Sequence, residues 1–144
     1  MKKYYFLLVA MMMAIVSVGL TACGSDDDDE PQNTSIVGTW KTSGTEDGVN
    51  YVSLIQFTKD GKFNGVQIWT ENGENEIEVS KGTYTVSNDV LMITETDEDG
   101  EADPYIINYQ LKGKQLILTF LYNSVTFTQT QDSEIEKYLK YYND

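Results

Sequence analysis

Cys23 is the only cysteine in the 144-residue chain, and it lies between an apolar run and a block of acids. A thiol is a ready nucleophile once ionised, so where it sits decides what it can do. The chain has no histidine, the side chain that most often serves as general acid or base near neutral pH. Serine and threonine are plentiful, but none is flanked by a base in a pattern that would activate its hydroxyl. Carboxylates are the remaining reactive class. A hydrolase using two of them needs a pair facing one another across a cleft, an arrangement that leaves no sequence signature. Nearly all the acids here fall in turns or at polar strand positions. No enzyme and no cofactor is expected.

One acidic cluster has the look of a cation loop. Asp97-Glu98-Asp99-Gly100-Glu101-Ala102-Asp103 alternates acids around a glycine, as calcium loops begin. Placing Gly100 at the sixth loop position puts Glu95 first, Asp97 third, Asp99 fifth and Ile106 twelfth. The bidentate glutamate that should close the loop is therefore missing. The flanking segments also read as strands, where the calcium loop needs helices. A solvated hairpin tip is the expectation, with no metal.

Cys23 gains its meaning from what precedes it. Lys2 and Lys3 open the chain, an apolar run follows from Tyr4 to Leu20, and small residues surround the cysteine in Leu20-Thr21-Ala22-Cys23-Gly24. A basic start, an apolar middle and a small-residue cleavage site describe a secretory signal. The run is near the lower limit for a transmembrane anchor, which takes ~20 apolar residues, and an anchor has no need of small residues around one cysteine. The segment resembles a bacterial lipoprotein signal with its lipobox. That resemblance implies cleavage after residue 22 and acylation of Cys23. Each buried methylene contributes ~0.8 kcal/mol, so several acyl chains hold firmly. The run Ser25-Asp26-Asp27-Asp28-Asp29-Glu30 resembles the export signal that follows the lipidated cysteine in lipoproteins of Bacteroidota. It implies display on the outer face of the outer membrane. Read without that resemblance, it is a solvated tether, since like charges repel and extend the chain.

With 1–22 as signal and 23–34 as lipidated cysteine and tether, residues 35–144 remain as one domain. Its 110 residues suffice for a single core without disulfides or metals. Loss of Lys2 and Lys3 takes the net charge from −13 to −15. With no arginine at all, nucleic acid is excluded as a partner, because phosphates demand clustered positive charge. The same field disfavours anionic ligands.

The domain must be built from short strands. Apolar stretches alternate with turn signals: Ile36–Thr42, Tyr51–Thr58, Phe63–Thr70, Ile77–Ser87, Val90–Thr96, Tyr105–Leu111, Gln115–Tyr122 and Val125–Thr130. Asp60-Gly61 and Asn72-Gly73 supply the positive φ angles of tight hairpins. In the fourth strand Ile77 and Val79 differ in parity from Tyr84 and Val86, with Gly82 beside the switch, which reads as a β-bulge or a bend between two shorter strands. Gln115–Tyr122 is apolar on both faces, so something must cover it. Ile135, Tyr138, Leu139 and Tyr142 then follow helical spacing, with Ser133 and Glu136 as a capping box. So short a helix is marginal alone, and Ile117 and Leu121 form its expected docking surface. The fold expected is all-β: an up-and-down antiparallel barrel of about eight strands with a short C-terminal helix. A two-sheet sandwich is the second reading.

Ile36-Val37-Gly38-Thr39-Trp40 carries the Gly-x-Trp pattern that opens lipocalins and the lipocalin-like lipoproteins of gut Bacteroidota. Phe57-Thr58-Lys59-Asp60-Gly61-Lys62-Phe63, Gly82-Thr83-Tyr84-Thr85-Val86, and Leu116-Ile117-Leu118 with Val125-Thr126-Phe127 resemble further pieces of the second group. The resemblance implies an eight-stranded barrel with Trp40 closing its floor. The arginine that stacks on this tryptophan in lipocalins is absent. Gln129 or Thr130 takes its place, and Lys41 or Lys137 could supply the cation.

Eight inward aromatics could line such a barrel: Phe57, Trp69, Tyr84, Tyr105, Tyr109, Phe120, Tyr122 and Phe127. Large rings fill space, and a barrel of this size is either packed solid or holds one small ligand. A pocket with a few tyrosine hydroxyls would suit a small hydrophobic or amphipathic molecule. Two functions follow: a ligand-binding lipoprotein anchored by lipid at the cell surface, or an accessory module with a solid core that binds protein or glycan through its loops.

Overall fold

The computed structural model describes residues 35–96, 100 and 102–141. The signal segment, Cys23, the acidic run, Tyr142 and residues 97–99 and 101 of the candidate calcium loop lie outside the described residues.

Eight strands run up and down: β1 Gly38–Glu46, β2 Val49–Phe57, β3 Lys62–Glu71, β4 Glu74–Ser87, β5 Val90–Thr96, β6 Ala102–Lys112, β7 Gln115–Phe120 and β8 Asn123–Thr130. Each pairs antiparallel with its neighbour, and Thr39–Lys41 of β1 pairs with Thr128–Thr130 of β8. The barrel is closed, as expected, and closure leaves no edge open to another chain. One helix, α1, follows at Ser133–Tyr141.

Turn chemistry sets the hairpins. Asp47-Gly48 and Asn72-Gly73 both take positive φ at their two central residues (49° and 83°, 52° and 83°), the geometry that matches strand twist. Asp60-Gly61 instead belongs to a longer connection, Thr58–Gly61. There the Thr58 hydroxyl accepts from the Lys62 amide at 2.9 Å.

The hairpin tips define two ends. The 58–61, 88–89 and 113–114 connections and residues 35–37 sit at one end, which is closed. Trp40, Phe57, Phe63, Phe127, Leu116 and Ile55 are fully buried there. The Trp40 indole N–H donates to the Ile36 carbonyl at 2.9 Å, and Trp40 faces Gln129 across the β1–β8 seam. Gln129, one of the two polar residues expected opposite this tryptophan, therefore stands across from it. Neither candidate lysine replaces it: Lys41 lies 4.0 Å from Glu134, and Lys137 lies over the Tyr138 ring.

Three expectations about β4 and α1 are corrected. No bulge interrupts β4: its registers with β3 (Glu74–Thr83) and with β5 (Gly82–Ser87) are continuous. The parity change arises because different faces are covered along one strand. Ile77 and Val79 point outward under α1, while Tyr84 points inward to the core. Second, α1 docks on the outer face of β2 and β3, away from Ile117 and Leu121. Ile135 is fully buried against Leu54, Val66 and Ile68, with Val52, Ile77 and Val79 around them. That face is the larger apolar surface, and the chain leaving β8 need cross only β1 to reach it. Leu121 is left 77% exposed. The cap is also displaced. Ser133 is already helical, so Asp132 precedes the first turn, its carbonyl accepting from Glu136 N at 3.0 Å. The Asp132 carboxylate accepts from Thr39 Oγ1 at 2.6 Å, which pins the helix start to β1.

Candidate functional site

The barrel interior has two unlike halves. Cross-strand partners share a face, so the inward set in the upper half can be followed from strand to strand. Thr42 faces Ser53, Ser53 faces Gln67, and Gln67 faces Glu78. Above that row, Tyr51 faces Trp69, and Trp69 faces Glu76. Below it, Gly65 faces Ser80 and Gly82 faces Glu95. A polar layer thus rests on the apolar floor.

Above the polar layer the barrel opens into a cavity of about 850 Å³ between the β1–β2 and β3–β4 hairpins. Its walls are Val49, Trp69, Asn72, Asn75 and six acids: Glu46, Asp47, Glu71, Glu74, Glu76 and Glu78. Tyr51 lies beside it, 4% exposed, its ring folded over Gly44, whose missing side chain makes the room. Burial, with Glu46 nearby, raises the Tyr51 pKa.

Several polar groups in the layer have no partner among the described residues. Ser53 and Gln67 are fully buried, and neither Ser53 Oγ nor either amide atom of Gln67 has a hydrogen-bond partner. Leaving a buried polar group unpaired costs ~1–3 kcal/mol, and these two residues lie one layer beneath the cavity lining. Glu95, 5% exposed, receives a hydrogen bond from the Tyr105 hydroxyl at 2.5 Å, and its other oxygen is unpaired. Burial raises the Glu95 pKa, the Tyr105 and Ser80 hydrogen bonds offset part of that, and Glu78 adds to it. Tyr105 is in turn held protonated far above its ordinary value by burial and by Glu95.

The sign of the Glu95 effect makes a prediction. An acid whose pKa rises on folding binds its proton more tightly in the native state. Native stability therefore falls as pH climbs from the unfolded value, near 4.5, through the raised folded value, and stays lower above it. Glu95→Gln removes that loss. Urea unfolding followed from pH 4 to pH 8 should show a smaller decline for the variant than for the parent; an identical decline would mean that Glu95 is not the source.

The eight aromatics are distributed as follows. Phe57 and Phe127 are fully buried in the floor. Tyr84, Tyr105, Tyr109 and Phe120 pack partly buried against it. Tyr84 donates to the Thr58 carbonyl at 2.5 Å and meets Phe57 edge-on, with centroids 4.9 Å apart. Tyr109 donates to the Asn88 carbonyl at 3.1 Å. Trp69 alone of the eight lines the cavity. The interior position expected for Tyr122 is corrected. It is 99% exposed at the β7–β8 tip, because the turn falls at Leu121-Tyr122 and not at Asn123-Ser124. The observed register sets Leu116 against Phe127 and Leu118 against Val125, pairing four buried apolar residues, and Leu121 accepts a φ of 53° to allow it. Among the described residues no three acids converge closely enough to hold a metal ion.

Sequence reasoning did not single out Gln67, Glu76 or Glu78, and weighed Glu95 only as the first position of a calcium loop. Counting parity back from Tyr84 would have found two of them, since Glu76, Glu78 and Tyr84 are all even-numbered on one continuous strand.

No family model and no curated protein matches this chain. Among solved structures it is similar to a lipocalin-like protein from Bacteroides uniformis. The identity is 16%, the TM-score 0.46, and the match covers 65% of this chain and 97% of that one.

Proposed function

We propose that this protein is a non-catalytic, ligand-binding lipoprotein, held at the outer membrane surface by acyl chains on Cys23, whose lipocalin-like barrel takes a small amphipathic molecule at its open end. The observation that carries the reading is the cavity of about 850 Å³, within the ~300–1,000 Å³ range of small-molecule pockets, set above unpaired buried polar groups. The apolar part of the ligand meets Trp69 and Val49. Its polar part faces the layer below. The fully buried floor supports the site and takes no part in contact. This refines the expectation of an aromatic-lined interior: of those rings only Trp69 has the position to touch a ligand.

The binding test uses a fluorescent amphipathic probe. It should bind one-to-one and quench tryptophan emission, and Trp69→Phe should lose much of that quenching while Trp40 emission persists. A cooperatively folded chain that binds no such probe would rule out the open-cavity reading and leave the interaction module.

The anchor has its own test, resting on Leu20–Cys23. Cys23→Ala should abolish labelling by a fatty-acid analogue and release or stall the protein. Replacing Asp26 to Asp29 with alanine should retain the lipoprotein inside the envelope, out of reach of protease added to intact cells. Unchanged labelling in the first variant, or unchanged protease sensitivity in the second, would contradict the respective step.

A further inference from the structure

We infer that the ligand of this cavity is an organic cation: a molecule with an ammonium-type head on an apolar body. The inference rests on the binding function proposed above and specifies its chemistry.

Charge is sorted along the barrel. Six of the ten residues lining the cavity are acids, and none is a lysine. The lysines of the hairpin connections, Lys59, Lys112 and Lys114, lie in or beside the turns of the closed end, and Lys62 there pairs with Asp60 at 3.6 Å. A concave site with walls of one sign concentrates its field and draws in the opposite charge. Acids on a rim are by themselves only a solvated surface, so the case needs the interior. Gln67 supplies it: fully buried on the inward face, cross-strand partner of the cavity-lining Glu78, and without a hydrogen-bond partner among the described residues for its amide oxygen or its amide nitrogen. Gln67 lies one layer beneath the lining, and its oxygen is an acceptor that an ammonium N–H reaching below Trp69 and Glu78 would meet. Trp69 lies one inward step above Gln67 on the same strand, and an indole face is the best aromatic surface for a cation. The carboxylates are spread around the rim instead of converging on a point, which suits a broad organic cation better than a metal ion.

The test compares three molecules with one phenylethyl body and different heads: 2-phenylethylammonium, 2-phenylethanol and phenylacetate. They are titrated calorimetrically into the full chain in non-ionic detergent. The ammonium should bind at least tenfold more tightly than the alcohol, and phenylacetate should show no binding. Added salt should shrink the ammonium's advantage, as rim charges are screened. The variant carrying Glu74→Gln and Glu76→Gln, both exposed rim positions, should reduce that advantage to less than threefold. Gln67→Leu should weaken the ammonium without restoring phenylacetate. Equal affinity for the ammonium and the alcohol would overturn the cation inference and leave the binding function standing. Failure of all three, while the larger amphipathic probe still binds, would do the same. Failure of all three and of that probe would overturn both.

Discussion

Phe127→Ala is expected to destabilise the barrel by about 3–5 kcal/mol, the range for a fully buried aromatic reduced to a methyl. Phe127 is inaccessible to solvent and packs in the floor cluster with Trp40, Phe57 and Leu116. Strands from opposite sides of the barrel meet there, so the gap left by the ring cannot be closed by moving one hairpin. A domain of this size is stable by ~5–15 kcal/mol, and the loss would take a large share of that. Urea unfolding should show the midpoint falling with little change in slope. Phe120→Ala should cost less, because Phe120 is only partly buried at the edge of the cluster. Tyr122→Ala, at an exposed tip, should stay within ~0.5 kcal/mol. Equal costs for Phe120 and Phe127 would mean that the solid floor extends through the upper half, and the cavity would then have no room.

Gly82→Ala should be the most damaging small substitution, at about 3 kcal/mol, the upper end of the overpacking range. Gly82 is where β4 passes from pairing with β3 to pairing with β5. A Cβ there would collide with the Thr94 carbonyl oxygen and lie 2.9 Å from the Glu95 Cα. Both are backbone atoms, which cannot swing aside as a side chain can. Its neighbours also hold Glu95, so the variant should disturb the polar layer as well as the strand. Gly48→Ala is the comparison: nothing lies within 4 Å of its added Cβ, and only its φ of 83° opposes the change, worth ~1–2 kcal/mol. Similar costs at both positions would remove close strand approach as the reason for Gly82.

Much of the fold is written in local chemistry. Asn72-Gly73 forces a two-residue turn, alternation orients most strands, and Trp40 after Gly38 ends up in the floor. What escapes such reading is anything that leaves parity unchanged or depends on what covers a face. Moving the β7–β8 turn by two residues preserves every inward position, so alternation could not separate Leu121-Tyr122 from Asn123-Ser124. Pairing of buried side chains across the strands decided it. In β4, outward Ile77 and Val79 and inward Tyr84 are all covered, by different elements, and a pattern read as a bulge was two covered faces on one straight register. The site was hidden by the same logic. Glu74, Glu76 and Glu78 look like solvated residues near a hairpin, and Gln67 like one more polar residue on a strand. Parity from Tyr84 and Trp69 sets them on the inner face, but only the closed barrel shows that the lower aromatics leave no space while the upper acids surround it.

The central claim is that this barrel binds at its acid-lined open end above a solid floor. The direct measurement is an amide and indole chemical-shift map of the uniformly ¹⁵N-labelled chain titrated with the amphipathic probe. The account predicts saturable shifts at the Trp69 indole N–H, at the Gln67 side-chain amide and along 46–49 and 71–78, with the Trp40 indole and the amides of Phe57 and Phe127 unmoved. Shifts centred on Trp40 and the floor, or confined to the outer surface around Met92 and Ile106, would contradict it.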